Sequence, residues 1–263
     1  MSYWKQDNER VGDKVDLGIK NKVAVVTGVG RGIGKATALT LAAEGVNISL
    51  NDIDEAAGLA TAKEIESLGV DTLFIKGDVS KEEDVKQLFK ATNDKFGQID
   101  ILINNAGISP KLPFYEITPE AFDGVIDVNL RSNFMCSKEA FEYMKNNGWG
   151  RIVSLSSLAG LHGAINSAAH YSASKAAIIG LTKTLSKQMG PYDITVNCVA
   201  PGRIDTAMTR MLTQEQLDQA IQKTSLRRLG TVEEVARVIT FLASDGGSYI
   251  TGACVEILGG YTG

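Results

Sequence analysis

A tyrosine and a lysine stand four residues apart in the stretch HYSASKAAIIGLTKTLSKQ, at Tyr171 and Lys175. The stretch has a helical pattern, and this spacing places both side chains on one face of a helix. A free tyrosine titrates near pH ~10, too high for proton transfer at neutral pH. A neighbouring ammonium favours the phenolate, so Tyr171 is predicted to act as a general acid and base. The alternative for the pair by itself is a solvated helix face.

Four glycines fall within the stretch TGVGRGIG, directly after the β-branched run VAVVT: Gly28, Gly30, Gly32 and Gly34. A turn from a strand into a helix exposes backbone N–H groups and the positive end of the helix, which attract phosphate. The spacing differs from the common G-x-G-x-x-G fingerprint, and no Gly-Lys-Ser/Thr of a P-loop follows. The turn therefore predicts phosphate binding, with a structural glycine cluster as the alternative.

Short apolar runs that alternate with longer amphipathic stretches must position these residues. The runs predict seven strands: Val23–Thr27, Val46–Leu50, Asp71–Lys76, Asp100–Asn104, Arg151–Ser156, Ile194–Ala200 and Cys254–Leu258. Several are apolar almost throughout, as strands covered on both faces should be. The alternation predicts an α/β fold with a parallel sheet and helices on both of its faces.

One domain over residues 22–263 accounts for the chain, preceded by a polar extension over residues 1–21. The stretch from about Thr206 to Arg228 is rich in Met, Gln and Thr and lies between a predicted strand and the next helix. It predicts a mobile lid over the substrate, with an ordinary helical insertion as the alternative.

Composition argues against several classes of protein. The formal net charge of −4 and the pI of about 5.4 offer no basic footprint for nucleic acid. No apolar run is long enough for a membrane span, and the charged start lacks a secretory signal, so we expect a cytoplasmic protein. Cys136, Cys198 and Cys254 are widely spaced and predict neither a disulfide framework nor a metal site. His162 and His170 lack the partners of a triad or a metal centre.

Several stretches carry a family resemblance. TGVGRGIG resembles the TGxxxGIG motif of the short-chain dehydrogenase/reductase family. Further stretches follow in that family's order: NNAG at Asn104–Gly107, VIDVNL with Asn129, SLSS with Ser157, YSASK at Tyr171–Lys175, PGRIDT at Pro201–Thr206 and the C-terminal FLASD…YITG. The resemblance covers roughly residues 15 to 263 and is nearest in look to 3-oxoacyl-carrier-protein reductases and NAD-linked alcohol dehydrogenases.

The resemblance implies a Rossmann-type, doubly wound sheet and reversible hydride transfer between a nicotinamide cofactor and a small-molecule substrate. Ser157 then bonds the substrate oxygen, Tyr171 moves the proton, Lys175 contacts the nicotinamide ribose and Asn129 holds a water that relays protons. It also implies these cofactor contacts: Gly28, Arg31, Gly32, Ile33, Gly34, Asp52, Asp78, Val79, Asn105, Ala106, Gly107, Tyr171, Lys175, Pro201, Gly202, Ile204 and Thr206. A homotetramer, built on the helices of Asn129 and Tyr171 and on the last strand, is implied as well.

The choice of dinucleotide is predicted from Asp52, which lies about 20 residues beyond the glycine turn, where an acidic residue bonds the adenosine ribose hydroxyls. Its carboxylate repels the 2′-phosphate of NADP, so NAD is predicted. Arg31 could bind that 2′-phosphate, so NADP is the alternative cofactor. The alternative role for Asp52 is that of an ordinary turn residue.

Asp78 resembles the family's adenine contact. The region also reads as a helix cap, with Ser80 at the N-cap and Glu83 three residues on.

For the substrate we predict a small secondary alcohol or its ketone, of the polyol, sugar acid or hydroxy acid type. The alternative is a 3-oxoacyl-[acyl-carrier-protein] reductase that uses NADPH. Met135 and Tyr192 stand where basic residues for an acidic carrier protein are expected. A non-catalytic cofactor-binding scaffold is a remote alternative, since such proteins are expected to lose the tyrosine or the lysine.

Overall fold

The computed structural model describes residues 16–163, 168–207 and 209–261. One sheet of seven parallel strands, in the order β3-β2-β1-β4-β5-β6-β7, forms the centre of the fold. The strands are β1 Val23–Thr27, β2 Asn47–Asp52, β3 Thr72–Lys76, β4 Ile101–Asn104, β5 Gly150–Leu155, β6 Ile194–Pro201 and β7 Cys254–Ile257. The predicted α/β class and all seven predicted strands are therefore confirmed.

Helices connect the strands. They are α1 Gly32–Ala43, α2 Glu55–Glu66, α3 Glu82–Phe96, α4 Pro119–Ile126, α5 Ser132–Asn147, α6 Leu158–His162, α7 Ala169–Met189, α8 Gln214–Gln222 and α9 Val232–Leu242. A π-helical turn over Asp127–Arg131 joins α4 to α5. Short 3₁₀ turns cover Phe114–Glu116, Gly190–Tyr192, Thr209–Met211 and Asp245–Gly247. Over the described ranges, none of the helices combines the length and the apolar character that a membrane crossing requires.

The hydrophobic core has two halves, one on each face of the sheet. Successive residues of a strand point to opposite faces and so pack into alternate halves. Ala24 and Val26 of β1 belong to one half, which also holds Leu41 of α1 and Ile239 of α9. Val25 points to the other half, with helices α3 and α5. All five residues of β1 are consequently buried. This is why the strand reads as a continuous apolar run rather than as an alternating one.

The chain enters the sheet near its middle with β1 and adds β2 and β3 on one side. It then crosses to the other side of β1 and adds β4 to β7 there, so the strand order reverses between β1 and β4. Because all the strands are parallel, the loops that follow them meet at one edge of the sheet. In open α/β sheets the crevice at such a reversal, outside the carboxyl ends of the strands, is where ligands bind. The topology therefore brings together sequence motifs that are far apart along the chain.

Helix α3 is followed by its C-cap, Gly97, in the left-handed conformation at φ +75°, but its start differs from the prediction. Its N-cap position is occupied by Lys81, so the prediction of Ser80 as N-cap is wrong. The Ser80 hydroxyl and N–H both donate to the Asp78 carboxylate, at 2.7 and 3.0 Å. This local turn uses the Ser80 hydroxyl before the helix starts.

Residues 1–15 of the predicted extension and Met208 of the predicted lid lie outside the described residues. Within the same extension, Ile19 is buried in the core, and the Leu17 carbonyl accepts a hydrogen bond from the Asp245 N–H. The lid region contains α8, none of whose residues is buried. Part of the stretch is therefore helical, and its mobility remains a prediction.

Candidate active site

Three predicted catalytic side chains meet at the carboxyl edge of the sheet. Ser157 follows β5, and its Oγ accepts a hydrogen bond from the Ala159 N–H at 3.2 Å as the N-cap of α6. The Ser157 hydroxyl is also hydrogen-bonded to the phenol of Tyr171, which lies in the first turn of α7. One turn further along α7, the Nζ of Lys175 lies 5.8 Å from the centroid of the Tyr171 ring.

Lys175 is buried, although its side chain is charged in most surroundings. Its Nζ donates to the Leu155 carbonyl at 2.6 Å, and burial lowers the pKa of the ammonium to about 8. The hydroxyl of Ser156 donates to the Lys175 carbonyl at 2.8 Å. Ser156 is thus used to join β5 to α7, whereas Ser157 is the serine that faces the phenol.

The pKa of Tyr171 differs from the sequence-based expectation. Burial raises the pKa of the phenol, while the hydrogen bond from Ser157 and the positive charge of Arg203 lower it. The expectation that Lys175 lowers this pKa is wrong for the chain by itself. The buried Lys175 ammonium loses its proton near pH 8, below the pH at which such a phenol ionises. Tyr171 therefore holds its proton at neutral pH.

Asn129 lies in the π-helical turn and is buried beside this cluster. Its Oδ1 accepts from the Ile108 N–H at 2.8 Å, and its Nδ2 donates to the Ile108 carbonyl and to Ser174 Oγ, both at 3.0 Å. A Cβ on Gly107 would lie 3.1 Å from Asn129 Oδ1 and 3.5 Å from Lys175 Nζ. Gly107, Asn129 and Lys175 are therefore neighbours, and the water relay remains a prediction.

The glycine turn forms an open cradle at the start of α1. Gly28 and Gly32 have φ of +70° and +61°, and a Cβ on Gly34 would lie 2.1 Å from the Gly28 carbonyl oxygen. Arg31 occupies the N-cap without a side-chain hydrogen bond to the helix, and the first turn contains no acidic residue. Backbone N–H donors and the positive helix end are thus left for an anion, which fits a phosphate group. Ile33, next in the turn, packs against the core.

Thr27, which the sequence analysis did not single out, joins this turn to the loop after β4. Its Oγ1 accepts from the N–H groups of Asn105 and Ala106, both at 3.1 Å. The Asn105 amide in turn donates to the carbonyls of Thr27 and Gly28, at 2.9 and 2.8 Å. No spacing rule points to Thr27, because its partners lie 78 and 79 residues away.

Asp52 ends β2 beside the glycine turn. One carboxylate oxygen accepts from the Gly30 N–H at 2.7 Å, and the other accepts from the Asp54 N–H at 2.9 Å. These bonds orient the carboxylate toward the cradle and leave lone pairs for further donors. Arg31 is exposed. After β3, the Asp78 carboxylate binds Ser80, and Val79 is buried, so the adenine contact remains a prediction.

The predicted segment after β6 is fixed by backbone pairing. Pro201 is the last residue of β6, and the Gly202 N–H donates to the Ile257 carbonyl at 3.0 Å. Ile204 is buried and forms a β-bridge with Gly230. The hydroxyls of Thr206 and Thr209 are 3.4 Å apart. Arg203, between these residues, is not among the predicted contacts, and its charge acts on Tyr171.

The two histidines lie at the end of α6 and at the start of α7. Tyr261 pairs with Thr224 in an antiparallel bridge, and its ring centroid lies 6.3 Å from that of His162 at the end of α6. His170 is buried, and its Nδ1 accepts from the Tyr171 N–H at 3.1 Å. Across the described part of the chain, no group of three or more His, Cys, Asp or Glu residues is placed to hold a metal ion.

The chain is similar to known proteins over most of its length. Residues 28–262 match the protein family described as enoyl-(acyl carrier protein) reductase. A 3-oxoacyl-[acyl-carrier-protein] reductase of Synechocystis sp. is 43% identical over 241 residues, covering 91% of this chain and 96% of the relative. The crystal structure of a candidate short-chain alcohol dehydrogenase from Sinorhizobium meliloti 1021 has a TM-score of 0.90 at 31% identity, covering 94% of this chain and 98% of that one.

Levodione reductase is a further structural neighbour, with a TM-score of 0.88 at 33% identity over 92% of this chain and 97% of that chain. The ordered motifs, the cluster of Ser157, Tyr171 and Lys175, and the extent of these matches lead to one assignment. The chain belongs to the short-chain dehydrogenase/reductase family and is an oxidoreductase.

Proposed function

We propose that this oxidoreductase reduces the ketone of a 3-oxoacyl thioester with a nicotinamide dinucleotide. The observation that carries the proposal is the phenol of Tyr171, hydrogen-bonded to Ser157 and one helical turn from the buried ammonium of Lys175. The substrate class is supported by the relative from Synechocystis, which is a 3-oxoacyl-[acyl-carrier-protein] reductase. This replaces the small secondary alcohol as our first expectation.

The residues of this chain suit proton donation to a ketone. Because the pKa of Tyr171 is raised by burial, the phenol is protonated at neutral pH and can donate to the carbonyl oxygen as charge develops on it. The Ser157 hydroxyl donates a second hydrogen bond to that oxygen and stabilises the developing charge. Lys175 holds a positive charge below about pH 8 and would donate to the ribose next to the nicotinamide when the cofactor is bound.

A nicotinamide dinucleotide is the cofactor that the family implies, and the residues at the edge of the sheet fit one. The glycine cradle from Gly28 to Gly34 would hold the pyrophosphate, and the Asp52 carboxylate would accept hydrogen bonds from the adenosine ribose. When bound, the reduced cofactor supplies the hydride. We propose NADH as the preferred form, because the Asp52 carboxylate disfavours the 2′-phosphate of NADPH.

A paired assay of purified protein tests the proposal. Acetoacetyl thioesters with NADH and with NADPH are compared with a panel of secondary alcohols and hydroxy acids with NAD. We expect the highest kcat/KM with an acetoacetyl thioester. Turnover of the alcohols alone would reject the substrate class but keep the hydride-transfer chemistry. Cofactor binding without turnover of any compound would favour the scaffold alternative.

The second candidate is an NAD-linked dehydrogenase of a small secondary alcohol. Asp52 favours it, because the carboxylate disfavours the 2′-phosphate of NADP and suits the ribose hydroxyls of NAD. The structural neighbour named as a short-chain alcohol dehydrogenase points in the same direction. The assay above separates it from the thioester reductase.

Replacement of Arg203 with glutamine is expected to shift the pH dependence of alcohol oxidation. The positive charge of Arg203 lowers the pKa of Tyr171, and oxidation requires the phenolate as base. Removal of the charge raises this pKa. The pH at which kcat/KM falls on the acidic side, measured at saturating NAD, should therefore rise by roughly 0.5 to 1 pH unit. Arg203→Lys keeps the charge and should restore most of the original profile. An unchanged profile in Arg203→Gln would contradict the role of this charge.

We also propose a homotetramer, in which other copies of the chain cover the outer face of α5 and α7 and the last strand, β7. Phe134, Phe141 and Leu185 line an apolar cleft of about 190 Å³ on this face, and Phe134 is 49% exposed. The Tyr192 ring lies edge-on to that of Phe141, with 5.1 Å between centroids. The molar mass measured by light scattering tests the assembly.

A further inference from the structure

Two cysteines that are far apart in the sequence are neighbours in the sheet. Cys198 lies in β6, Cys254 is the first residue of β7, and the two are register partners in this parallel pair. Adjacent strands lie about 4.8 Å apart, within the range of Cα separations, roughly 4.4 to 6.8 Å, that a disulfide spans. Directly paired residues of parallel strands also point to the same face of the sheet.

The backbone around the pair is held in place from both sides. The Cys198 N–H donates to the Ala253 carbonyl at 2.9 Å. The Asn197 side chain accepts from the Ala253 N–H at 3.1 Å and donates to the Ile250 carbonyl at 2.7 Å. The start of β7 is thus attached to β6 by hydrogen bonds that do not involve the thiols. The register that pairs the two cysteines is therefore held independently of their side chains.

The two thiols are hydrogen-bonded to each other and differ in their surroundings. Cys198 is fully buried, and its pKa is raised by this hydrogen bond and by burial. Cys254 is partly exposed, and the bond from Cys198 lowers the pKa of its thiol. Of the charged groups around the pair, Lys183 of α7 favours the thiolate, and Glu256 of β7 opposes it at Cys254. Within a single chain, Cys254 is the more exposed of the two thiols and the one that ionises more readily, so a small oxidant such as a peroxide reacts there first.

We propose that Cys198 and Cys254 form an oxidisable dithiol that takes hydrogen peroxide as its oxidant and closes into a reversible disulfide between β6 and β7. The Cys254 thiolate attacks one peroxide oxygen, the O–O bond breaks, and the departing hydroxide takes up a proton to give water. The resulting sulfenic acid is attacked by the sulfur of Cys198, so that the S–S bond forms, the S–O bond breaks and a second water leaves. Two thiols are oxidised, and one peroxide is reduced to two waters.

Mass spectrometry of the full-length protein tests the site. The native protein is treated with hydrogen peroxide, its remaining thiols are alkylated, and it is digested without reductant. We expect a cross-linked pair of peptides that contain Cys198 and Cys254, and its disappearance after treatment with dithiothreitol. Failure of this pair to form, or oxidation of Cys254 to its sulfinic acid while Cys198 stays reduced, would overturn the proposal.

Two serine variants sharpen the result. Cys254→Ser should abolish the cross-link and leave Cys198 as a free thiol. Cys136→Ser is the matched control, because Cys136 is buried in α5 and burial raises the pKa of its thiol to about 12. It should form the cross-link to the same extent as the unaltered chain. Loss of the link in Cys136→Ser, or a link that persists in Cys254→Ser, would assign the oxidation to a different pair.

Discussion

Replacement of Tyr171 with phenylalanine is expected to lower kcat about 1,000-fold or more, the scale on which a positioned acid or base contributes. The change removes only the hydroxyl that is hydrogen-bonded to Ser157 and keeps the ring next to the Lys175 ammonium. The glycine cradle and Asp52 are not altered, so NAD binding should change by less than about threefold. Steady-state assays and a fluorescence titration of the cofactor measure the two quantities.

Tyr192→Phe is the matched control for this prediction. It also removes a phenolic hydroxyl, but from an exposed tyrosine that follows α7. The ring of Tyr192 packs against Phe141. Its kcat should remain within about twofold of that of the unaltered chain. If Tyr171→Phe kept near-normal turnover, the phenol could not be the proton donor, and the chemistry proposed for the site would be wrong.

The second large effect is expected at Asp52. The unaltered chain should favour NADH over NADPH in kcat/KM by about 100-fold or more. Two like unit charges about 4 Å apart repel by ~4 kcal/mol at an effective dielectric near 20, and water lowers that figure. Asp52→Asn removes the negative charge but keeps an oxygen that can accept from the Gly30 N–H. The variant should therefore lose most of its discrimination, through a gain in kcat/KM with NADPH.

Asp54→Asn controls for the loss of one negative charge in the same loop. Asp54 is the N-cap of α2 and accepts from the Ala57 N–H at 3.1 Å, a role that asparagine also fills. The ratio of the two cofactors should barely change in this variant. A preference of the unaltered chain for NADPH, or equal changes in both variants, would show that Arg31 or another group selects the cofactor.

Much of the architecture follows from the sequence. Continuous apolar runs predict buried parallel strands, since a strand covered by helices on both faces has no solvent side. Gly28 and Gly34 stand where the backbone turns and where a Cβ would collide with it, so their positions are readable from residue type alone. The spacing of Tyr171 and Lys175 likewise places them on one helix face, because helix geometry is local.

Other parts of the site depend on contacts that no local pattern encodes. Lys175 reaches the Leu155 carbonyl and Asn129 reaches Ile108, over separations of 20 and 21 residues. Serine is a common N-cap residue, yet the Ser80 hydroxyl donates to the Asp78 carboxylate and does not cap α3. Both the carboxylate and the start of the helix are close enough in sequence to bond this hydroxyl. The pKa of Tyr171 depends on burial and on Arg203, neither of which can be read from the helix that carries the phenol.

The sequence by itself determined the order of strands and helices, the glycine cradle and the Tyr171–Lys175 pair, since each depends on neighbours a few residues away. Only the tertiary structure decided which distant groups meet, including Cys198 with Cys254. The physical reason is that strand order and register bring these groups together, and both are properties of the whole sheet.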